Sequence, residues 1–210
     1  DTVIIAVSVA NRVNVGRIER LLTLAYDAGT RPIIALTKSD LVDDPLPGEA
    51  MIAAVAPGAD IVTTSTITGA GVDLLESTMT GTAVLLGSSG AGKSSLANAL
   101  LGREQMAANE IRAVDGKGRH TTAHRELLLL PGGKVLIDTP GLRGIGVQDV
   151  AEAAGRTFAD IEELARECAF RDCEHRSEPR CAVQEAIRAG RLDAGRLERY
   201  RKLLRESEWS

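Results

Sequence analysis

Three features of the sequence predict an α/β fold with a mostly parallel sheet and helices on both faces. Short apolar runs alternate with helical periodicity four times before residue 102, the pattern of successive βαβ units. Apolar residues make up 44% of the chain but aromatics only 2%, so the interior must be aliphatic, as in a parallel sheet covered by helices. Finally, Gly87-Ser88-Ser89-Gly90-Ala91-Gly92-Lys93-Ser94 fits G-x-x-x-x-G-K-[ST] between a buried strand and a helix.

Val3 to Val9 reads as the first strand, and Val15 to Ala28 as a helix with Ile18, Leu21, Leu22 and Ala25 on one face and Gly29 as its stop. Arg31 to Leu36 is a second strand running into Thr37-Lys38-Ser39-Asp40. Glu49 to Ala56 is a short helix closed by Pro57-Gly58, and Asp60 to Thr64 a third strand leading to the loop Ser65 to Gly71. Val72 to Met79 is helical until Gly81. Thr82 to Leu86 is the strand before the glycine loop, and Ser95 to Leu101 the helix after it. Residues 103 to 123 are polar and read as a long mobile loop, a length that points to function or disorder. His124 to Leu130 and Lys134 to Ile137 form a hairpin about Pro131-Gly132-Gly133. After about residue 150 helical patterns dominate: Phe158 to Glu167, Ala182 to Ala189 and Ala194 to Arg205. Two domains are expected, 1–150 and 151–210.

The totals bound the function. A formal charge of −4 argues against a strongly basic nucleic-acid wrapper but permits a local basic face. No apolar run is long enough for a membrane span, so no membrane partner is expected. The first residues lack a charged n-region and a cleavage site, so no signal peptide is read there. Three cysteines confined to residues 168–181 make a poor disulfide framework, and the simplest compartment is the cytoplasm. A monomer is expected.

The glycine loop can wrap a phosphate with backbone N–H groups at a helix N-terminus, with Lys93 reaching the β/γ-phosphates and Ser94 ligating Mg²⁺; Ser95 closes the contact set. Asp138-Thr139-Pro140-Gly141 fits the D-x-x-G element of a GTP-binding protein: Asp138 near Mg²⁺, the Gly141 N–H towards the γ-phosphate. Thr37-Lys38-Ser39-Asp40 fits [N/T]-K-x-D, in which the carboxylate accepts two hydrogen bonds from guanine N1–H and N2–H₂, a donor pair adenine lacks. Thr37 stands where Asn is commoner, and alone this stretch would be an ordinary turn. Ser65-Thr66-Ile67 looks like the loop that offers a backbone N–H to guanine O6. Gly118-Arg119-His120-Thr121-Thr122 lies where GTPases place switch I, with Thr122, or alternatively Thr121, meeting Mg²⁺. Leu142 follows D-T-P-G where many GTPases have a water-orienting Gln. His120 is the nearest polar candidate for that task; its plainer reading is a solvated loop histidine.

Cys168-x₄-Cys173-x-His175-x₅-Cys181 supplies three thiolates and an imidazole, a closed tetrahedral set of the structural Zn²⁺ kind. A disulfide with a spare thiol, or three buried cysteines, are the alternatives.

The elements run base reader, Ser65 loop, P-loop, switch I, D-T-P-G. A Ras-like GTPase begins with its P-loop, so this order is a circular permutation. The permuted order, G-S-S-G-A-G-K-S-S-L, G-R-H-T-T, D-T-P-G-L-R and the C-A-F-R-D-C-E-H-x₅-C run together resemble the RsgA (YjeQ) family, and the resemblance covers nearly the whole chain. It implies a circularly permuted P-loop GTPase domain followed by a small helical zinc-binding domain. The implied activity is hydrolysis of GTP to GDP and phosphate late in small-ribosomal-subunit maturation, stimulated by the subunit and accompanied by rRNA binding. It implies guanine contact at Thr37, Lys38 and Asp40, phosphate contact at 87–94, zinc at Cys168, Cys173, His175 and Cys181, and His120 as the residue positioning the attacking water. The family carries an OB-fold domain ahead of the GTPase domain, and these 210 residues begin at the GTPase domain. RNA contact here would fall to Arg171, Arg176, Arg180 and the arginines of 188–205. The competing reading is a guanine-nucleotide-dependent clamp with negligible intrinsic hydrolysis.

Overall fold

The structure is a computed structural model that describes residues 1–102, 126–138 and 150–207. The chain divides into two compact units, Asp1–Ile145 and Gly146–Ser210.

In the first unit six strands form one sheet: β1 (Thr2–Ser8), β2 (Arg31–Thr37), β3 (Asp60–Thr63), β4 (Thr82–Gly87), β5 (Glu126–Leu129) and β6 (Val135–Asp138). Their order is β3-β2-β1-β4-β6-β5, all parallel except the β5–β6 hairpin. The central strand, β1, pairs Ile4 with Ile33 of β2 and with Leu85 of β4. Alternate residues serve opposite faces. Ile4, Ile33, Ala35, Ala83 and Leu85 share a core with α3 (Val72–Thr78) and α4 (Lys93–Leu101) through Leu75, Leu96 and Leu100. Ile5, Ile34 and Leu36 lie outside that core and are also fully buried, as are Leu22 of α1 (Val15–Asp27) and Ile52 of α2 (Leu46–Ala53). An interior almost without aromatic rings thus consists of β-branched residues and leucines burying both faces. Each such side chain contributes about 1.5–3 kcal/mol.

Among the described residues the expected strands and helices are present, with two main differences; the loop expected over 103–123 lies outside the described residues. α2 begins at Leu46 rather than Glu49, because Pro47 suits a helix's first turn and the Asp44 carboxylate accepts the Leu46 N–H at 3.0 Å. A helix also occupies Val150–Thr157 (α5), where the sequence pattern announces none. Gly155 sits inside it and weakens its helical signal.

The second unit packs α5 with α6 (Ala159–Ala165) and α8 (Ala194–Ser207), and α6 with α7 (Ala182–Arg188). Its centre is Phe158, 1% exposed, with Tyr200 at a ring separation of 5.2 Å and the Arg196 guanidinium 4.8 Å from its ring. Arg196 is itself only 3% exposed. Its Nε and Nη2 donate to the two Asp160 carboxylate oxygens at 2.7 and 2.8 Å, and Nη2 also donates to the Thr157 carbonyl at 3.0 Å. Burial pushes the Tyr200 hydroxyl pKa up, and the Glu162 carboxylate that accepts its hydrogen bond adds to the shift.

Arg196→Ala removes the bidentate pair, the carbonyl bond and the ring contact together. It should destabilise the second unit by about 3 kcal/mol, and Arg196→Lys should recover only part because an ammonium cannot make the fork. Urea unfolding followed by far-UV circular dichroism measures both.

Candidate functional site

Because β2, β1, β4 and β6 are parallel, their C-terminal ends share one edge of the sheet. Thr37 ends β2, Gly87 ends β4 and Asp138 ends β6, while β3 leads through Thr64 into Ser65. Ligands of open α/β sheets bind outside this edge.

The glycine loop runs from β4 into α4. A Cβ on Gly87 would lie 2.5 Å from the Ala6 carbonyl oxygen, so only glycine lets β4 leave the sheet here. Gly92 takes a left-handed conformation (φ 85°) and starts α4 without any side-chain cap. By contrast, Asn14 caps α1 by accepting the Arg17 N–H at 3.1 Å. An uncapped first turn offers N–H groups with no intrahelical acceptor, at the positive end of the helix dipole. The Lys93 ammonium arches back over the loop, donating to the carbonyls of Gly87 at 3.1 Å and Ser88 at 2.9 Å. Ser88, Ser94 and Ser95 are half-buried around it, Ser89 and Gly90 are exposed, and Ala91 is buried.

The T-K-S-D loop is tied to this one. The Thr37 hydroxyl donates to the Ala91 carbonyl at 2.7 Å, a buried bond, and a Cβ on Gly92 would lie 3.4 Å from the same hydroxyl oxygen. Lys38 takes a left-handed turn (φ 61°), and Ser39–Leu41 forms a single 3₁₀ turn that projects Asp40 outward. The Ser39 N–H donates to the Thr64 carbonyl at 3.2 Å. The buried Ser65 hydroxyl donates to Asp40 Oδ1 at 2.5 Å and accepts the N–H groups of Ile67 and Thr68 at 3.3 and 3.2 Å. Ser65 therefore holds the carboxylate, a role that its place in the sequence does not announce. Thr66 is half-buried and Ile67 is 81% exposed beside it. The structure brings Thr37, Lys38, Ser39, Asp40, Ser65–Ile67 and the glycine loop to one edge. His120, Thr121, Thr122, Gly141 and Leu142 lie outside the described residues, as does the side chain of Asp138.

In the second unit the four sulfur and imidazole ligand atoms of Cys168, Cys173, His175 and Cys181 lie within 4.8 Å of one another. Cys168 and Cys181 sulfurs are 3.8 Å apart, and His175 Nδ1 is 3.5 Å from each. A tetrahedral ion with Zn–S near 2.3 Å and Zn–N near 2.0–2.1 Å has edges of about 3.8 Å (S···S) and about 3.5 Å (S···N). The donor set thus fits a tetrahedral metal, with His175 presenting Nδ1. Burial, joined by the nearby Arg201 guanidinium, lowers the His175 pKa and keeps the ring neutral, the form that ligates. Burial opposes ionisation of Cys168, but hydrogen bonds from the Val183 and Ala182 backbone and from the Cys181 and Cys173 thiols together lower its pKa. Burial pushes the Cys173 thiol up to about 11. The loop also contains Arg180 at φ 55°, a left-handed backbone that a side chain disfavours.

A sheet of this topology, with a glycine loop before α4 and its T-K-S-D partner earlier in the chain, defines a circularly permuted P-loop GTPase domain. The RsgA GTPase family profile matches residues 1–148. The chain belongs to that family. The small ribosomal subunit biogenesis GTPase RsgA of Streptomyces coelicolor is 53% identical over 99% of this chain and 58% of its own length. The chain therefore spans less than two thirds of the curated relatives it matches first. Among solved structures, YjeQ from Thermotoga maritima superposes with a TM-score of 0.69 at 29% identity, over 99% of this chain and 71% of that one. YloQ, described as a circularly permuted GTPase, gives 0.65 at 28%, over 99% and 68%.

Thr37→Ala leaves the buried Ala91 carbonyl without its donor and should cost about 1–3 kcal/mol, whereas Thr37→Ser keeps the bond and should cost less. Arg180→Gly should stabilise the second unit by roughly 0.5–1 kcal/mol by relieving the left-handed strain. Denaturant titrations of the three variants check both expectations.

Proposed function

We propose that this chain hydrolyses GTP to GDP and phosphate, acting as a monomer in late maturation of the small ribosomal subunit and stimulated by that subunit. The observation that carries the reading is the Thr37–Ala91 bond, which sets a guanine-reading carboxylate and a phosphate loop on one edge as a single clamp. Asp40, held by Ser65, accepts from guanine N1–H and N2–H₂, and the Lys38 stem lies along the base. The N–H groups of residues 87–94 and the α4 N-terminus cradle the phosphates, and the Lys93 ammonium exchanges its two loop carbonyls for phosphate oxygens. Mg²⁺, which neutralises developing charge on the phosphates, would be held by Ser94, Thr122 and Asp138. His120 positions the attacking water in place of the residue that Leu142 replaces.

The Cys₃His cluster is proposed to hold one structural Zn²⁺, since three thiols and an imidazole leave no open position for water. Arg171, Arg176 and Arg180 are exposed around it, and the arginines of 188–205 lie on and before α8; these, apart from the buried Arg196, are the proposed contacts to rRNA phosphates. No helix among the described residues is long and apolar enough to cross a membrane. The proposed site of action is the cytoplasm. Leu142 keeps a second reading open: a nucleotide-dependent ribosome clamp with negligible intrinsic hydrolysis.

GTP turnover with and without isolated small subunits decides between the two. The hydrolase reading expects subunit-stimulated phosphate release, and an unstimulated rate sinks it. Lys93→Ala should abolish nucleotide binding. His120→Ala should lower turnover by roughly 10²-fold while sparing affinity; equal loss in both would remove His120 from the chemistry.

A further inference from the structure

The loop between α6 and α7 has one charged group turned onto its own backbone. Glu178 Oε1 accepts the N–H of Glu174 at 2.9 Å, and Oε2 accepts the N–H groups of Arg176 at 2.7 Å and Ser177 at 3.0 Å. These donors flank His175 on both sides along the chain. His175 itself is left-handed (φ 59°), a strained conformation for a residue with a side chain. From the other side, Gln184 Nε2 donates to the His175 carbonyl, and the Gln184 N–H donates to Cys181 Sγ at 3.4 Å. Arg201 of α8 pins the same turn by donating to the Glu174 carbonyl at 2.8 Å. A carboxylate gathering several backbone N–H groups does for this turn what a bound anion does in a backbone nest.

We propose that Glu178 is a positioning residue for the metal centre. Its carboxylate folds residues 174–177 around itself and so carries the backbone of His175 into the strained turn from which Nδ1 reaches the sulfurs of Cys168 and Cys181. The inference rests on reading the Cys₃His cluster as the metal site. Without the carboxylate, three N–H groups lose their acceptor and the histidine must be ordered by the metal alone, so binding weakens. Groups behind first ligands commonly set metal affinity by roughly 10–100-fold when removed.

The test uses the full chain, titrated with Co²⁺ in competition with a chelator of known affinity. Wild type should show the absorption of a tetrahedral thiolate complex. Glu178→Ala and Glu178→Gln should show the same bands but bind roughly 10–100-fold more weakly, with far-UV helicity unchanged. Amide hydrogen exchange at Glu174, Arg176 and Ser177 should accelerate in both variants. Unchanged cobalt affinity in variants that keep their helices overturns the positioning role. Failure of wild type itself to take up cobalt overturns the metal reading and this inference together, and is told apart by the missing wild-type bands.

Discussion

The hydroxyl of Thr37 meets the carbonyl of Ala91 across 54 residues of chain, and the arrangement of the loops at the C-terminal edge of the sheet depends on that contact. Strand register alone aligns the ends of β2, β1 and β4 side by side. It does not fix the loops that leave them. The hydrogen bond locks the start of one loop to the turn of the other, and Gly92 at φ 85° supplies the left-handed turn beside the threonine. Ser65 extends the same logic to the third loop by holding the Asp40 carboxylate. Three segments far apart in sequence are thus tied together at one edge of the sheet.

The permutation has a simple physical reading in these terms. What the site needs is β1 between β2 and β4, with all C-terminal ends at one edge. None of these pairings depends on which segment comes first in the chain. Moving the glycine loop to mid-chain changes the connections and leaves the edge intact, because each loop is held by sheet register and by side chain to backbone bonds. The second unit follows another principle. Its helices surround one aromatic pair and one buried guanidinium, and its irregular loop carries a carboxylate turned onto the backbone and a cluster of three cysteines and a histidine. Polar contacts specify structure there that a small core could not specify alone.

Much of the fold was legible because aliphatic strand runs and glycine punctuation are local signals. α5 escaped because Gly155 interrupts its periodicity, although Ala153 and Ala154 are buried as a helix would place them. The glycine loop and the Cys₃His spacing were legible as motifs, since their chemistry needs fixed residue types at fixed separations. The roles of Thr37, Ser65 and Glu178 were not. Each acts through a hydroxyl or carboxylate aimed at a particular backbone or side-chain atom. Composition and spacing say nothing of where such a group points. Thr37 in place of Asn reads as a mild departure from the pattern, yet its hydroxyl makes a buried bond that joins the two loops.

The central claim is that the Asp40 carboxylate, fixed beside the phosphate cradle, reads guanine. Comparing the affinity of the chain for GDP with that for inosine diphosphate, which lacks only the 2-amino group, tests it most directly. The account predicts a loss of about 1.5–3 kcal/mol for the inosine nucleotide, the worth of one hydrogen bond to a charged acceptor. Equal affinity for the two would contradict it.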